Sequence, residues 1–218
     1  MMYRVVLWGT LGVLLMTGLQ PTVSQDIAAD AADDWLMRVQ DRYAALSGLQ
    51  ATYEQEVSTE LNEGTEQRQG TLYATPDAFR VEADRQTIVS NSETIWVHDE
   101  IRNQVIVSTP DEQRPDLATP NTLFARFSDM FTVVDSEETS AGMVRLSLEA
   151  NDSAADYEAM VLWVRPDDAT ITELELTDGG GTHVRIQLSD MTFDPSFDEG
   201  VFTFEPPEGV EVVDLRDG

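Results

Sequence analysis

Histidines and closely spaced acids are the residue types in this chain that most readily support catalysis or metal binding. His98 and His183 have neither a second histidine nor a cysteine nearby, and the chain contains no cysteine. Calcium prefers oxygen ligands, and an EF-hand loop supplies them at fixed spacings. Four acids near the C-terminus have the right type but not that spacing: Asp190, Asp194, Asp198 and Glu199. The sequence therefore predicts solvated histidines and a solvated acidic loop, with no metal site.

Motifs for covalent catalysis and nucleotide binding do not occur. There is no Gly-x-Ser-x-Gly and no Walker loop, and the glycines at 179–181 lack the spacing of a dinucleotide fingerprint. With 41 acids in 218 residues, pairs of carboxylates arise by chance and give a glycosidase mechanism little support. We therefore expect no enzyme activity and no cofactor, with a hydrolase of cell-surface polymers as the weakest alternative.

The charge of the chain excludes some partners. The formal net charge is -28, and all 13 basic residues are arginine. Such a surface repels nucleic acid and anionic lipid headgroups. Two interpretations remain: adaptation to high salt, in which carboxylates keep the protein soluble, or an acidic surface for a basic partner. In either case we expect a monomer that binds no nucleic acid.

The N-terminus has the pattern of a secretory signal. Arg4 precedes an apolar run at residues 5–19, which is too short for a bilayer core of about 30 Å. Small residues follow, so we predict a signal peptide over residues 1–24 with cleavage near 24–31. An uncleaved tether is the alternative. Residues 32–218 are then one exported domain.

The elements of that domain are predicted from periodicity. A first helix is expected over about residues 34–46, capped by Asp33 or Asp34 and ended by Ser47 and Gly48. Strands follow from Leu49, and Asn62-Glu-Gly-Thr65 is predicted to turn the chain back. One face of the helix is apolar at helical spacing: Leu36, Val39, Tyr43 and Leu46.

A second helix is predicted after Thr119 as cap and Pro120 as first helical residue. Its apolar side carries Leu123, Phe124, Phe127 and Phe131, which by themselves are typical of ordinary core. Four further strands complete the chain, with a tight turn at Asp178-Gly-Gly-Gly181. The fold class is therefore mainly β with α: a single curved antiparallel sheet, covered by short helices.

Four segments in order resemble the outer-membrane lipoprotein carrier proteins, the LolA family. The likeness runs from about Trp35 to Asp214. It rests on Leu49-Gln-Ala-Thr-Tyr-Glu-Gln, on Gly70-Thr-Leu-Tyr-Ala-Thr-Pro with Phe79-Arg80, on Val89-Ser-Asn-Ser-Glu-Thr-Ile-Trp, and on Phe202-Thr-Phe-Glu-Pro-Pro-Glu-Gly-Val.

The resemblance implies an open half-barrel closed by a helical lid over an apolar cavity. It implies a periplasmic carrier that binds the acyl chains of lipoproteins, takes them from an ATP-driven inner-membrane exporter and passes them to an outer-membrane receptor. A periplasmic sensor of lipid or lipoprotein on the same fold is the alternative. The residues expected at the cavity and lid are Leu36, Val39, Tyr43, Tyr53, Tyr73, Phe79, Trp96, Leu123, Phe124 and Phe127.

One position departs from the family pattern. The family typically has a basic residue, often arginine, just before the proline of the second segment, where it ties the lid shut. Thr75 stands there in this chain. The resemblance leaves three options: a weaker latch through the Thr75 hydroxyl, a latch supplied by Arg80, or a looser lid.

Overall fold

Twelve strands and one helix make up the regular elements in the part of the chain that the structure describes. The structure is a computed structural model, and it describes residues 23–59, 62–110, 130–152, 157–198 and 200–216. The elements are α1 (Val23–Ala44), β1 (Leu49–Thr59), β2 (Asn62–Ala74), β3 (Phe79–Ala83), β4 (Gln86–Ser90), β5 (Ile95–Asp99), β6 (Gln104–Ser108), β7 (Phe131–Glu138), β8 (Val144–Ala150), β9 (Ala159–Arg165), β10 (Thr170–Thr177), β11 (Thr182–Phe193) and β12 (Glu211–Asp214).

All twelve strands belong to one open sheet. Their order across it is β12-β6-β5-β4-β3-β2-β1-β11-β10-β9-β8-β7. Neighbouring strands are antiparallel except β12, which pairs in parallel with β6. The predicted mainly-β fold with one large sheet is confirmed, but the sheet is not antiparallel throughout. The predicted second helix from Thr119, with Leu123, Phe124 and Phe127, lies outside the described residues.

The first helix begins earlier than predicted. It starts at Val23, so Asp33 and Asp34 lie inside it and do not cap it. Alanine is the best helix former, and the four alanines at positions 28, 29, 31 and 32 favour continuation of the helix through this segment. The predicted stop is close to the observed one, because α1 ends at Ala44, just before Ser47 and Gly48.

A predicted turn and one residue of a predicted helix lie in strands instead. Asn62-Glu-Gly-Thr65 is not a turn but the start of β2, which pairs with β1 as far as Asn62 opposite Thr59. Phe131 does not belong to a helix: it is buried at the start of β7 and pairs with Ala150 of β8. The β-branched run Thr132-Val-Val134 that follows favours a strand.

Gly70 of β2 meets an unusually close approach of its neighbours. A Cβ atom there would lie 1.9 Å from the carbonyl oxygen of Glu82 and 2.9 Å from Cε1 of Tyr53. Gly70 pairs with Tyr53 on β1 and with Ala83 on β3. The absence of a side chain at this position is therefore what lets the tyrosine ring lie over β2.

Gly70→Ala is therefore expected to lower the free energy of unfolding by about 1–3 kcal/mol, the usual cost of overpacking. Chemical denaturation measures it. Gly64→Ala on the same strand is the matched control, since a Cβ at Gly64 would meet no atom within 4 Å. Equal stability of the two variants would contradict the steric role of Gly70.

Candidate functional site

The helix covers only part of one face of the sheet. It packs on β7, β8 and β10, and we call this face the inner face. Leu36, Val39 and Tyr43 of α1 are buried there in one cluster with residues of β8, β9 and β10. The residues that these three strands contribute to the cluster are Val144, Leu146, Leu148, Met160, Leu162, Val164, Ile171 and Leu174, and the same cluster extends to residues of β1, β2, β3 and β7.

Tyr43 links the helix to the sheet by a hydrogen bond. Its hydroxyl oxygen accepts the backbone N–H of Ile171 at 3.1 Å, and the side chain is 1% exposed. Burial raises the pKa of Tyr43 to about 12, and the bond from Ile171 partly opposes that rise. Leu36, Val39 and Tyr43 were predicted at a ligand cavity, and the structure places them in the packed core under the helix.

The opposite, outer face is covered on the other half of the sheet. Residues 194–198 and 200–210, which we call the C-terminal strap, cross β2 to β6 on this face and lead into β12 at the edge of the sheet. Phe197 meets the ring of Tyr73 at 6.1 Å between centroids, and Phe204 meets the ring of His98 at 5.6 Å. Beneath the strap Val89, Val105 and Val107 are at most 4% exposed.

The register of the strands separates Tyr73 and Trp96 from the other predicted cavity residues. Tyr73 pairs with Arg80, and Trp96 pairs with Val89 and Val107. All of these positions belong to the outer face. Tyr53 and Phe79 lie on the inner face, Phe79 buried and Tyr53 partly buried.

A continuous row of apolar residues crosses the inner face of β2 to β6, beyond the part of the sheet on which α1 packs. Paired positions on successive strands point to the same side, which places these side chains in line. We call the row the apolar stripe: Leu72, Val81, Ile88, Val97 and Ile106. Leu72 is buried, and the other four are partly exposed.

A buried row and a polar row flank the stripe. On one side lie Ala74, Phe79, Ser90 and Ile95, all buried. On the other side lie Gly70 and Ala83, followed by the polar residues Gln86, Asp99 and Gln104; all but Gly70 are at the ends of their strands. The stripe is therefore the border between core and solvent on this half of the sheet.

None of the five residues of the stripe was predicted from the sequence as a cavity residue. Val81, Ile88, Val97 and Ile106 alternate with their neighbours as half-buried strands do. Some of the residues between them, which point to the outer face, are also apolar, as with Val89 beside Ile88, because the C-terminal strap buries the outer face too. The alternation of side chains along each strand could have assigned these residues to one face, but it does not show which face another segment covers.

The two predicted latch residues make other contacts in the structure. Thr75 closes the turn between β2 and β3, where its hydroxyl oxygen accepts the N–H of Ala78 at 3.1 Å. Arg80 lies on the outer face, with Nε 2.6 Å from a carboxylate oxygen of Glu82 and Nη1 3.4 Å from the carbonyl oxygen of Val201. Arg80 thus holds the C-terminal strap.

Asp194, one of the four acids near the C-terminus, is hydrogen-bonded within the fold. Asp194 accepts the N–H of Ser47 at 2.7 Å, and the bonds from Ser47 hold its pKa below the usual range. The described residues contain no group of three or more His, Asp or Glu side chains arranged to hold a metal ion. Within the same ranges no helix combines the length and apolarity needed to span a bilayer.

A small concavity lies at the other end of the sheet, between α1 and β7. Its volume is about 220 Å³. Carboxylates border it, which makes it a poor site for hydrocarbon, since a charge without a polar partner is costly to desolvate. Its lining residues are Trp35, Ser136, Glu137, Glu138, Val144 and Pro166.

Solved structures share this fold. An uncharacterized conserved protein from Thermus thermophilus superposes with a TM-score of 0.54 at 16% identity, covering 84% of this chain and 99% of that one. The class is therefore that of open, single-sheet proteins with an N-terminal helix.

Sequence comparison identifies the family. The model described as outer membrane lipoprotein carrier protein LolA matches residues 44–205. A protein of Alkalilimnicola ehrlichii named outer-membrane lipoprotein carrier protein is 31% identical over 95% of this chain and 94% of its own length. One of the same name from Halorhodospira halophila is 27% identical over 81% of this chain and 84% of its own length. The chain belongs to the LolA family, and the resemblance seen in its sequence is confirmed.

Tyr43→Phe is expected to destabilise the protein by about 1–3 kcal/mol, because the buried N–H of Ile171 loses its acceptor. Thermal or chemical unfolding measures the loss. Tyr73→Phe is the control, because the Tyr73 ring packs against Phe197 on the outer face. A Tyr43 variant as stable as the Tyr73 variant would show that the bond contributes nothing net.

Proposed function

We propose that the protein is a non-enzymatic periplasmic carrier, which binds the acyl chains of lipoproteins on the apolar stripe and moves them from the inner to the outer membrane. The observation that carries this proposal is a row of partly exposed apolar side chains on an otherwise packed sheet. Membership of the LolA family and the names of the relatives support it.

The dimensions of the stripe suit an acyl chain. It crosses five strands, which at about 4.8 Å per step makes it about 19 Å long. One leaflet of a bilayer core of about 30 Å holds acyl chains of about 15 Å. A single chain laid along the stripe would thus contact side chains from β2 to β6.

The partial exposure of the stripe suits reversible binding. Each methylene removed from water contributes about 0.8 kcal/mol, so an acylated protein does not leave a membrane unaided. A carrier must bury the chains and also release them. A chain laid on this row keeps some contact with water, so it gains less free energy on binding than it would in a deep, dry cavity. Only the part of that gain that exceeds the costs of association appears as affinity.

A helical lid is part of the proposal. The segment after Thr119 and Pro120 would lay Leu123, Phe124 and Phe127 over bound chains and make the curved sheet a closed half-barrel. The contacts of Thr75 and Arg80 do not support either as its latch, which favours a looser lid. Opening such a lid exposes apolar surface, which lowers the net affinity for cargo.

The route of the cargo follows from the same role. The chain would be exported by a signal over residues 1–24, with residues 32–218 as the carrier domain. As a monomer it would receive lipoproteins from the ATP-driven exporter and deliver them to the outer-membrane receptor. Its acidic surface would keep it off anionic lipid and nucleic acid, and either salt adaptation or attraction to a basic partner would account for that charge.

Ile88→Gln is expected to weaken binding of a neutral fluorescent acyl ester about tenfold or more, because it places an amide in the middle of the stripe. Fluorescence titration measures binding, and thermal melting checks the fold. Ile101→Gln is the matched control: Ile101 is 71% exposed in the turn between β5 and β6. Unchanged binding by the folded Ile88 variant would rule out the stripe as the acyl site.

Phe124→Glu tests the lid. If residue 124 covers cargo, the variant should keep a near-normal melting temperature and lose uptake of lipoprotein from inner-membrane vesicles. Phe124→Leu should retain uptake, because it remains apolar. A large loss of stability with unchanged acyl binding per folded molecule would show that Phe124 is ordinary core.

A further inference from the structure

One end of the apolar stripe carries hydrogen-bond donors on the inner face. Tyr53 of β1 pairs with Gly70, and its ring lies over that glycine, as the 2.9 Å between Cε1 and a Cβ placed there shows. The ring packs against the core cluster, while half-burial leaves the residue partly open to solvent. Tyr53 thus combines an apolar contact with a polar hydroxyl at the edge of the stripe.

Gln55 and Arg68 continue the inner face beside Tyr53. They pair with each other across β1 and β2, one step along from the Tyr53–Gly70 pair. The Arg68 side chain is 52% exposed, and its Nη2 lies 3.3 Å from a carboxylate oxygen of Glu66. A phenol, a primary amide and a guanidinium therefore gather at one corner, which we call the donor corner.

Burial of the Tyr53 ring preserves its hydroxyl as a donor. Burial raises the pKa of Tyr53, and Asp84 at the end of β3 adds to that rise, whereas Arg68 opposes it. The phenol thus keeps its proton at neutral pH.

A donor corner is unusual on this surface. The chain has 41 acids and 13 arginines, so carboxylates, which only accept, dominate its exterior. At the opposite end of the polar row the charged residue is Asp99, whose carboxylate accepts the N–H groups of Ile101 and Arg102 in the β5–β6 turn. Both ends carry an arginine–carboxylate ion pair, Arg68 with Glu66 and Arg102 with Asp99, so it is the partly buried phenol of Tyr53 that distinguishes the donor corner.

We infer that Tyr53, Gln55 and Arg68 bind the carbonyl groups that link acyl chains to the cargo, so that the chain runs from β1 and β2 towards β6. The inference rests on the proposed function. The ester and amide carbonyls of a diacylglyceryl-cysteine accept hydrogen bonds and donate none at the ester oxygens, so they require donors. The donor corner adjoins Leu72, where the stripe begins, so a bound carbonyl would place the hydrocarbon directly on the stripe.

Two synthetic ligands separate carbonyl recognition from hydrocarbon binding. One is an S-diacylglyceryl-cysteine peptide, and the other is its dialkyl ether analogue, which has the same chains without ester carbonyls. The wild-type protein should bind the ester form about fivefold more tightly, the effect of about one net hydrogen bond. Calorimetry or displacement of a fluorescent probe measures both affinities.

Tyr53→Phe and Arg68→Gln should each reduce the ester preference while leaving affinity for the ether analogue unchanged. Tyr73→Phe and Arg145→Gln are the matched controls, because they make the same changes on the outer face. Melting curves confirm that all four variants fold.

The outcomes separate this inference from the proposed function. Equal affinity of the wild type for both ligands, or an ester preference that survives both variants, overturns the role of the donor corner, while binding that is lost in Ile88→Gln still supports the stripe. Binding of neither ligand by the wild type overturns both proposals. Loss of the preference in the two inner-face variants alone supports the inference.

Discussion

The need to bury apolar side chains on both faces of one sheet is the constraint on which this structure depends. A single sheet has no second sheet to cover it, and α1 packs mainly on β7, β8 and β10. The C-terminal strap covers the outer face of the other half, where Val89 and Val105 are fully buried. The half of the sheet under α1 is thus covered on its inner face, and the half under the C-terminal strap is covered on its outer face. The outer face of the helix half is polar, with ion pairs such as Arg185 to Glu173 at 2.7 Å.

This alternation leaves the inner face of β2 to β6 partly open, because its partner layer lies on the other side of the sheet. The apolar stripe lies on this open face because the strand pairings that align its residues also align the buried row next to it. A carrier needs such a surface: apolar enough to hold a chain, yet joined to a core that is stable without one. The C-terminal strap stabilises the same strands on the outer face, so the proposed binding of acyl chains and the stability of the fold would depend on different faces of these strands.

The two halves meet where α1 joins β1. Asp194, at the start of the C-terminal strap, accepts hydrogen bonds from both the N–H and the hydroxyl of Ser47, and its own N–H donates to the carbonyl of Gly48. The end of the helix, the start of β1 and the start of the strap are therefore held together at one point. Tyr43 ties the same end of the helix to Ile171. The two covering layers share this junction, which couples the packed core to the open half of the sheet.

The sequence by itself determined most of the strands, the turns at Thr75-Pro76 and Asp178–Gly181, the mainly-β class and the family, because alternation, turn residues and short motifs are local. Only the tertiary structure decided which face was covered by what. Tyr73 and Trp96 were predicted as cavity residues, but both lie on the outer face, where Tyr73 contacts Phe197 of the C-terminal strap, while Val97 and Ile106 belong to the stripe. The parallel strand β12, the strand at Phe131 and the start of α1 at Val23 were likewise beyond local pattern. The two strands depend on partners that are distant in the chain, and the start of α1 depends on the helix continuing past Asp33 and Asp34, which are good capping residues. Periodicity assigns residues to a face, whereas the covering of that face is a long-range property of the packed chain.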